Sequence, residues 1–469
     1  MTFVIAEKTI ESLGIEEIAQ FKGRIEHLQK EFYQHFSKGT GEIMIFRAPG
    51  RVNLIGEHTD YNGLPVLPMA INRDILIACR PRPDEVVDLY SLQEIQKAQF
   101  SISKEIAPSA TGNWDNYVRA AAQALQRYVA GSSPLRSSLL KGFEGIVDGN
   151  IPPGSGLSSS SAMVVAVAVA LADINQLKIE KKELADLCAK GERYVGTQGG
   201  GMDQAISVMG KKGYALKIDF FPLRTEATPL SSDYAFVICN STVVAEKSGA
   251  AQRAYNQRTV ECRLGVLLYK KDIREEKKEF YQRLGDIPSQ DYGHFLNDLI
   301  DQDKYTLEAI SRRTKVSMET IKKEYLTFSN GSIFHDYGES YQIRKRCRHV
   351  ITEGQRVEDS KRVLFNGDFQ KFGQLMDESF RSCALDYEIS CPSIDRLIQI
   401  CKSAGALGSR ITGAGFGGCI VNLLDKKRVA FFIESVSREY YQNYLKKSRE
   451  FWQSQILLSS ACSGAGRLA

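Results

Sequence analysis

The residues able to do chemistry sit in four short stretches. Between Gly50 and Gly63 the chain places Arg51, Asn53, Glu57, His58, Thr59, Asp60 and Asn62, with glycines for tight bends and apolar Val66-Leu67-Pro68 close behind. Polyol recognition needs this mix, because a sugar hydroxyl both donates and accepts and carboxylates make charge-assisted bonds with it. The second stretch holds Gly154, Ser155 and Gly156, where the backbone can approach a guest closely and its N–H groups can converge on an anion. Leu157 and the serines 158–161 follow; serine is a favoured N-cap, and a helix starting there adds roughly half a positive charge at its N-terminus. Phosphate is the natural guest, and a serine hydroxyl beside it is a hard oxygen donor of the kind Mg2+ prefers. Taken alone, the segment reads equally well as a plain capped helix after a proline turn. A Walker loop is excluded, since the chain has no Gly-Lys-Ser/Thr triplet.

Third comes Gly199-Gly-Gly-Met-Asp203, which sets a carboxylate on a tightly shaped loop where a substrate could approach; a turn aspartate is the bland alternative. Glu192 stands shortly before it, in a helical stretch with Leu184, Leu187 and Cys188 at core spacing, and alone would read as a surface glutamate. The fourth stretch, Gly413-Ala-Gly-Phe-Gly-Gly418, formally matches the dinucleotide pattern GxGxxG. That pattern requires a helix after it, whereas 419–424 reads as a strand, so a Rossmann fold is disfavoured and a phosphate-supporting or packing loop remains.

These stretches need elements to hold them. Apolar positions at helical spacing predict a leading amphipathic helix over about 10–36. Strands are expected at 44–46, 75–79 and from 145, and a helix over 114–129. The run 162–172 is Ala/Val-rich and apolar all round, so the helix it extends must be buried. Residues 269–341 shift to charge-dense and then polar helical sequence, and read as an elaboration on the core. Within them 307–325 has helix-turn-helix-like spacing but fits two short amphipathic helices. The basic run 344–348 opens a helix and reads as a solvated face, and 410–421 reads as a glycine-rich hairpin feeding a strand.

Composition narrows the function. A chain of 469 residues has room for two or three domains, and 43% hydrophobic with 25% charged residues is an ordinary globular balance. A net charge of +5 is too mild for a dedicated nucleic-acid binder. The apolar run 162–172 is about half of a bilayer span, and the first residues turn acidic and polar without a signal-peptide core, so neither membrane nor secretion is expected. Ten scattered Cys with no CxxC, and six His with no HExxH, argue against a disulfide framework or zinc site and favour a reducing cytoplasm.

Taken together and in order, the motifs resemble the GHMP kinase superfamily and, within it, the galactokinases. The stretch from Arg47 to Asn62 (RAPGRVNLIGEHTDYN) is similar to the galactokinase signature, 153–162 (PGSGLSSSSA) to the superfamily's ATP loop, and 411–419 (ITGAGFGGC) to its third motif; 386–392 (DYEISCP) matches a further galactokinase stretch. The resemblance implies a two-domain α+β fold, an N-terminal ribosomal-protein-S5-like domain over 1–215 and a C-terminal ferredoxin-like domain over 216–469. The helical insert falls at about 269–341, and the active site lies in the cleft between the domains. It implies ATP-dependent phosphorylation of α-D-galactose at the C1 hydroxyl, with Mg2+ and without an obligate protein partner.

Site residues carry over on the same terms. Asp203 would be the base and Arg51 would pair with it and help stabilise the transition state. Glu57, His58, Thr59, Asp60, Gly200 and Tyr255 would join them at the sugar. Gly154, Ser155, Gly156, Leu157, Ser158, Ser159 and Ser160 would wrap the ATP phosphates, Trp114 would border adenine, and Ser160 with Glu192 would hold magnesium. Two departures stand out: Phe380 occupies a position where many galactokinases have His, and Glu192 lies one residue nearer the catalytic loop than in shorter members. That spacing and the insert resemble N-acetylgalactosamine kinases, whereas 59–62 and Tyr255 resemble galactokinases proper. An N-acetylgalactosamine kinase, and a non-catalytic sensor of galactose and ATP, are the alternatives.

Overall fold

In the computed structural model the described residues are 5–468 except 6, 16, 37–40, 133–138, 196–198, 245–248, 329–330 and 336–339. Two sheets organise them. The first has the strand order β12-β1-β2-β5-β3-β4 and the second β11-β8-β10-β9, while β6 and β7 form a separate hairpin. The strands are β1 (Met44–Asn53), β2 (Pro68–Pro81), β3 (Val86–Ser91), β4 (Gln96–Ser101), β5 (Phe143–Gly149), β6 (Tyr214–Asp219), β7 (Arg224–Pro229), β8 (Tyr234–Asn240), β9 (Gly408–Ile411), β10 (Cys419–Asp425), β11 (Ile456–Ser459) and β12 (Gly466–Arg467).

The first sheet is covered on both sides, which explains why β1 is buried along its whole length. Side chains alternate across a strand. Met44, Phe46 and Ala48 therefore face one layer together with Ile75, Ile77 and Cys79, while Ile45, Leu76 and Ala78 face the other. Helix α1 (Ile18–His35) covers the latter face with Phe21, Ile25, Leu28 and Phe32. The former face carries α2 (Asp115–Ser132), α3 (Ser159–Ile174), α4 (Lys181–Glu192) and α5 (Met202–Met209). Helix α3 is buried almost all round, as its uniform Ala/Val composition demands.

The second sheet is antiparallel throughout. Ala235, Val237, Ile420 and Leu424 point into its own core, whereas Phe236, Ile238, Val421 and Leu423 extend the core of the first half. Helices α6 (Gly249–Lys270), α7 (Ile343–Phe365), α8 (Phe369–Leu385), α9 (Pro392–Ser403) and α10 (Val429–Val436) complete this half.

Three sequence readings are revised here. Residues 269–341 do more than decorate: Leu284, Phe295, Ile300, Leu307, Ile310 and Ile321 are buried in the second core. The two short helices expected there are Leu307–Thr314 and Met318–Tyr325. The basic run at the start of α7 is not simply a solvated face, because Arg346 is buried with its Nε 2.7 Å from Glu261 Oε2. The boundary expected at 215/216 falls inside β6, and residues 456–467 supply β11 to the second sheet and then β12 to the first. No helix among the described residues is long and apolar enough to cross a membrane.

Candidate active site

Strand β1 delivers the first component. Its register against β2 shifts between Pro49 and Arg51, leaving Gly50 without a partner position in the ladder. At the bulge the Arg51 N–H donates to the Leu157 carbonyl at 3.1 Å instead of to the sheet. The Arg51 side chain then meets Asp203 in a bidentate pair, Nε to Oδ1 at 2.7 Å and Nη2 to Oδ2 at 2.9 Å, and its Nη1 donates to the Gly156 carbonyl. Asp203 lies in the first turn of α5, where a carboxylate is favoured by the helix dipole. The helix starts on Gly201 at φ +104°, a conformation open to glycine and strained for other residues.

The Ser/Gly loop approaches the same carboxylate. Ser158 occupies the N-cap of α3 in the left-handed region, but its side chain makes no cap; its hydroxyl donates to Asp203 Oδ2. The first N–H groups of α3 are therefore not closed off by a side-chain cap, the arrangement an anion requires. Deeper in, Glu192 at the end of α4 accepts from the Ser161 hydroxyl at 2.7 Å and from the Gln204 amide. The Glu192 carboxylate and the Ser160 hydroxyl are both hard-oxygen groups, the donor type Mg2+ prefers. Trp114, half-buried at the start of α2, packs on the first core.

The sugar-signature loop closes the site from the other side. The Gly200 N–H donates to Asp60 Oδ2 at 3.1 Å, and a Cβ on Gly200 would lie 2.4 Å from Asp60 Cγ, so only glycine fits. Burial, with the Asp203 charge adding to it, pushes the Asp60 carboxyl up to about 6 against the pull of its backbone donors. His58 (φ +62°) bonds Tyr61 Oη through Nδ1 at 2.9 Å and the Ala414 carbonyl through Nε2 at 3.1 Å. Burial lowers its pKa to about 3, so it is neutral. Tyr255 from α6 joins the ring cluster, 5.3 Å from His58 and 5.8 Å from Tyr61. Thr59 is fully buried, its hydroxyl between the carbonyls of Gly56 and Pro65.

Glu57 is 2% exposed and its carboxylate ties three elements together. Oε2 pairs with Arg410 at 2.6 Å and accepts from Asn53 at 3.0 Å, while Oε1 accepts from the Gly413 N–H at 2.7 Å. The glycine-rich loop that Gly413 opens also touches the Ser/Gly loop, since the Cys419 N–H donates to the Ser155 carbonyl at 3.0 Å. That loop thus packs between the two others, the supporting role left open by its sequence.

Three family descriptions match the chain: "Galactokinase galactose-binding signature" over residues 30–81, "GHMP kinases N terminal domain" over 116–211 and "GHMP kinases C terminal" over 360–442. A galactokinase of Dictyostelium discoideum is 34% identical over 95% of this chain and 94% of its own length. The chain belongs to the galactokinase family. A second family member, from Roseiflexus sp. (strain RS-1), is 35% identical over 88% of this chain and 91% of its own. The crystal structure of Lactococcus lactis galactokinase complexed with galactose has a similar fold, with a TM-score of 0.74 and 29% identity over 93% of this chain and 97% of that one. The two halves are the N- and C-terminal parts of a GHMP kinase fold.

The family motifs converge as their order implied. Arg51, Asp203, Ser158 and Gly156 are linked by the bonds above, Asp60 and Gly200 form a second bonded pair, and His58 and Tyr255 border the sugar side. Sequence reading missed the second line of support. Glu353 of α7, fully buried, accepts from the N–H groups of Gly56 (2.9 Å) and Glu57 (3.3 Å), from the Ser379 hydroxyl (2.6 Å) and from Arg356 Nε (2.7 Å). Burial opposes its charge, but Arg356 and Arg410 outweigh it and hold the carboxyl below its ordinary range. His349, one turn earlier, meets the Glu57 carbonyl through Nε2 at 3.1 Å. The available signal was spacing: Arg346, Val350, Glu353, Val357, Ser360 and Leu364 share one buried helix face, and an acid there needs a partner. Phe380 packs on the second core beside this region.

Proposed function

We propose that this chain transfers the γ-phosphoryl group of ATP to the C1 hydroxyl of α-D-galactose, giving galactose 1-phosphate and ADP. The observation that carries the reading is the Asp203 carboxylate, shared between Arg51 of the sugar signature and Ser158 of the Ser/Gly loop. One carboxylate thereby touches both substrate-binding loops. Asp203 takes the proton of the C1 hydroxyl as its oxygen bonds to the γ-phosphorus, and the bond to the bridging oxygen breaks to release ADP. Arg51 holds the base in place and offsets developing charge. Glu57, His58, Thr59, Asp60, Gly200 and Tyr255 form the sugar side, with Asp60 free to accept a hydroxyl proton on its remaining lone pairs. Gly154 to Ser160 cradle the phosphates and Trp114 borders the adenine. Ser160 and Glu192 are the residues that would hold Mg2+, which when bound neutralises phosphate charge.

A cytoplasmic setting and the absence of an obligate partner complete the proposal. The test is a coupled ADP-release assay across a sugar panel. Galactose is expected to give the highest kcat/KM. Glucose should be very poor, because an inverted C4 hydroxyl leaves buried polar groups unpaired at about 1–3 kcal/mol each. A preference for N-acetylgalactosamine, or no sugar-dependent ADP release, overturns the reading.

A further inference from the structure

Among the described residues, the segment 269–341 meets the sugar signature at a short turn, Arg283 to Asp286. The turn is closed by Asp286, whose Oδ2 accepts from the N–H groups of Gln282 at 2.8 Å and Arg283 at 2.7 Å. It is anchored by Leu284 and Ile287, both buried in the second core. Such a turn is fixed from within, so whatever rests on it is held rather than holding.

Two things rest on it. The first is the end of the sugar signature. A Cβ on Gly285 would lie 2.2 Å from the Gly63 carbonyl oxygen and 3.1 Å from that of Asn62; one on Gly63 would lie 3.2 Å from Arg283 Cδ. Backbone meets backbone there, with no room for a side chain on Gly285. Gly63 closes the turn that begins at Asp60, its N–H donating to the Asp60 carbonyl at 3.1 Å. The second is Phe221, whose ring lies under the Arg283 guanidinium, Cζ 3.5 Å from the centroid. Phe221 is 50% exposed, so this cation is a main cover on it. Its neighbour Phe220 packs on the first core and borders Gly201, from which a Cβ would lie 3.9 Å from Phe220 Cε1. Gly201 begins the helix that carries Asp203.

We infer that Arg283 is a positioning residue for the sugar side of the site. Its stem abuts Gly63 of the signature loop and its guanidinium clamps Phe221 beside the catalytic loop, so that segment 269–341 fixes the spacing between Asp60 and Asp203. The inference takes its substrate from the reading above. Nothing in the contact reaches the Ser/Gly loop, so the effect belongs to the sugar and not to ATP.

The test compares wild type, Arg283→Ala and Arg283→Lys, varying galactose and ATP separately. Arg283→Ala is expected to raise the galactose KM about tenfold and to leave the ATP KM within about twofold, the pattern of lost sugar binding. Arg283→Lys should recover most of the loss, since an ammonium also sits over a ring face. A galactose KM within about twofold of wild type, or an equal rise in both KM values, overturns the inference. Hydrogen exchange in the sugar-free protein gives a readout without turnover: the amides of Asn62, Gly63 and Leu64 should exchange about tenfold faster in Arg283→Ala. Unchanged exchange also overturns it. A wild type inactive on galactose sinks the proposed reaction, while the exchange comparison still decides whether Arg283 positions the loop.

Discussion

Asp203 is held by three donor groups, two on Arg51 and one on Ser158, that an amide can partly satisfy, yet only a carboxylate can take a proton. Asp203→Asn is therefore expected to fold and still bind ATP while kcat falls by about 10²–10⁴, the usual worth of a positioned base. Retention of more than about a tenth of wild-type kcat would remove Asp203 from that role. Asp60 makes a different prediction, through pH. Its carboxyl titrates at about 6 in the folded chain against 3.8 ordinarily. Between those values the folded state keeps a proton that the unfolded chain has lost. The stabilisation this gives is full below the unfolded pKa and declines as pH rises through about 6. Activity runs the other way, because the ionised form is the better acceptor. The pH profile of kcat/KM for galactose should show an acid limb near pH 6, and Asp60→Asn should lose that limb together with much of its affinity. At this scale the sequence was legible where chemistry and motif coincide, as at Arg51, Asp60 and Asp203. It named Ser158 for the ATP phosphates but gave no sign that its hydroxyl turns to Asp203, because that choice depends on a residue 45 positions away.

Helix α7 carries a different lesson. Periodicity places its buried face, but no local signal says that Glu353 reaches across to the backbone of Gly56 and Glu57. That contact exists only once the two halves are packed. The same holds for Arg410, which stands at the end of β9 and is fully buried between Glu57, Ser379 and the Asn53 carbonyl. Parts of strands β1, β2, β5 and β10, and helix α3, were legible because short apolar runs identify them without tertiary context, though β1 and β2 extend well beyond 44–46 and 75–79. Removing Glu353 would leave Arg410 and two backbone donors without their shared acceptor in a site sealed from water. Glu353→Ala is expected to cost about 3–5 kcal/mol, read as a lower urea midpoint at unchanged slope. Glu353→Gln, which keeps the shape and one acceptor oxygen, should cost clearly less. Equal losses in the two variants would show that the charge, which both lack, and not packing sets the value of this residue.

The molecule as a whole is stitched by residues 456–468. After β11 joins the second sheet, the Cys462 N–H donates to the Ala70 carbonyl at 2.9 Å and the Ala465 N–H to that of Ser207 at 2.7 Å. Leu468 then donates to Ile45 at 2.7 Å. The Ser463 carbonyl accepts from the buried Arg47 at 3.0 Å. Deleting 460–469 removes these bonds, each worth about 1 kcal/mol net, and takes one acceptor from the buried Arg47, which keeps its pairing with Asp74. Thermal unfolding should move down by several degrees, and the loss should appear in the first half, where hydrogen exchange of β1 amides would locate it. A truncated chain as stable as the full one would show that β12 is dispensable. The return of these residues also sets a timetable for synthesis. Strand β1 leaves the ribosome roughly 400 residues before the partner on its outer edge. At ~5–20 residues per second the edge stays open for tens of seconds. During that interval it is the place where a foreign strand can add.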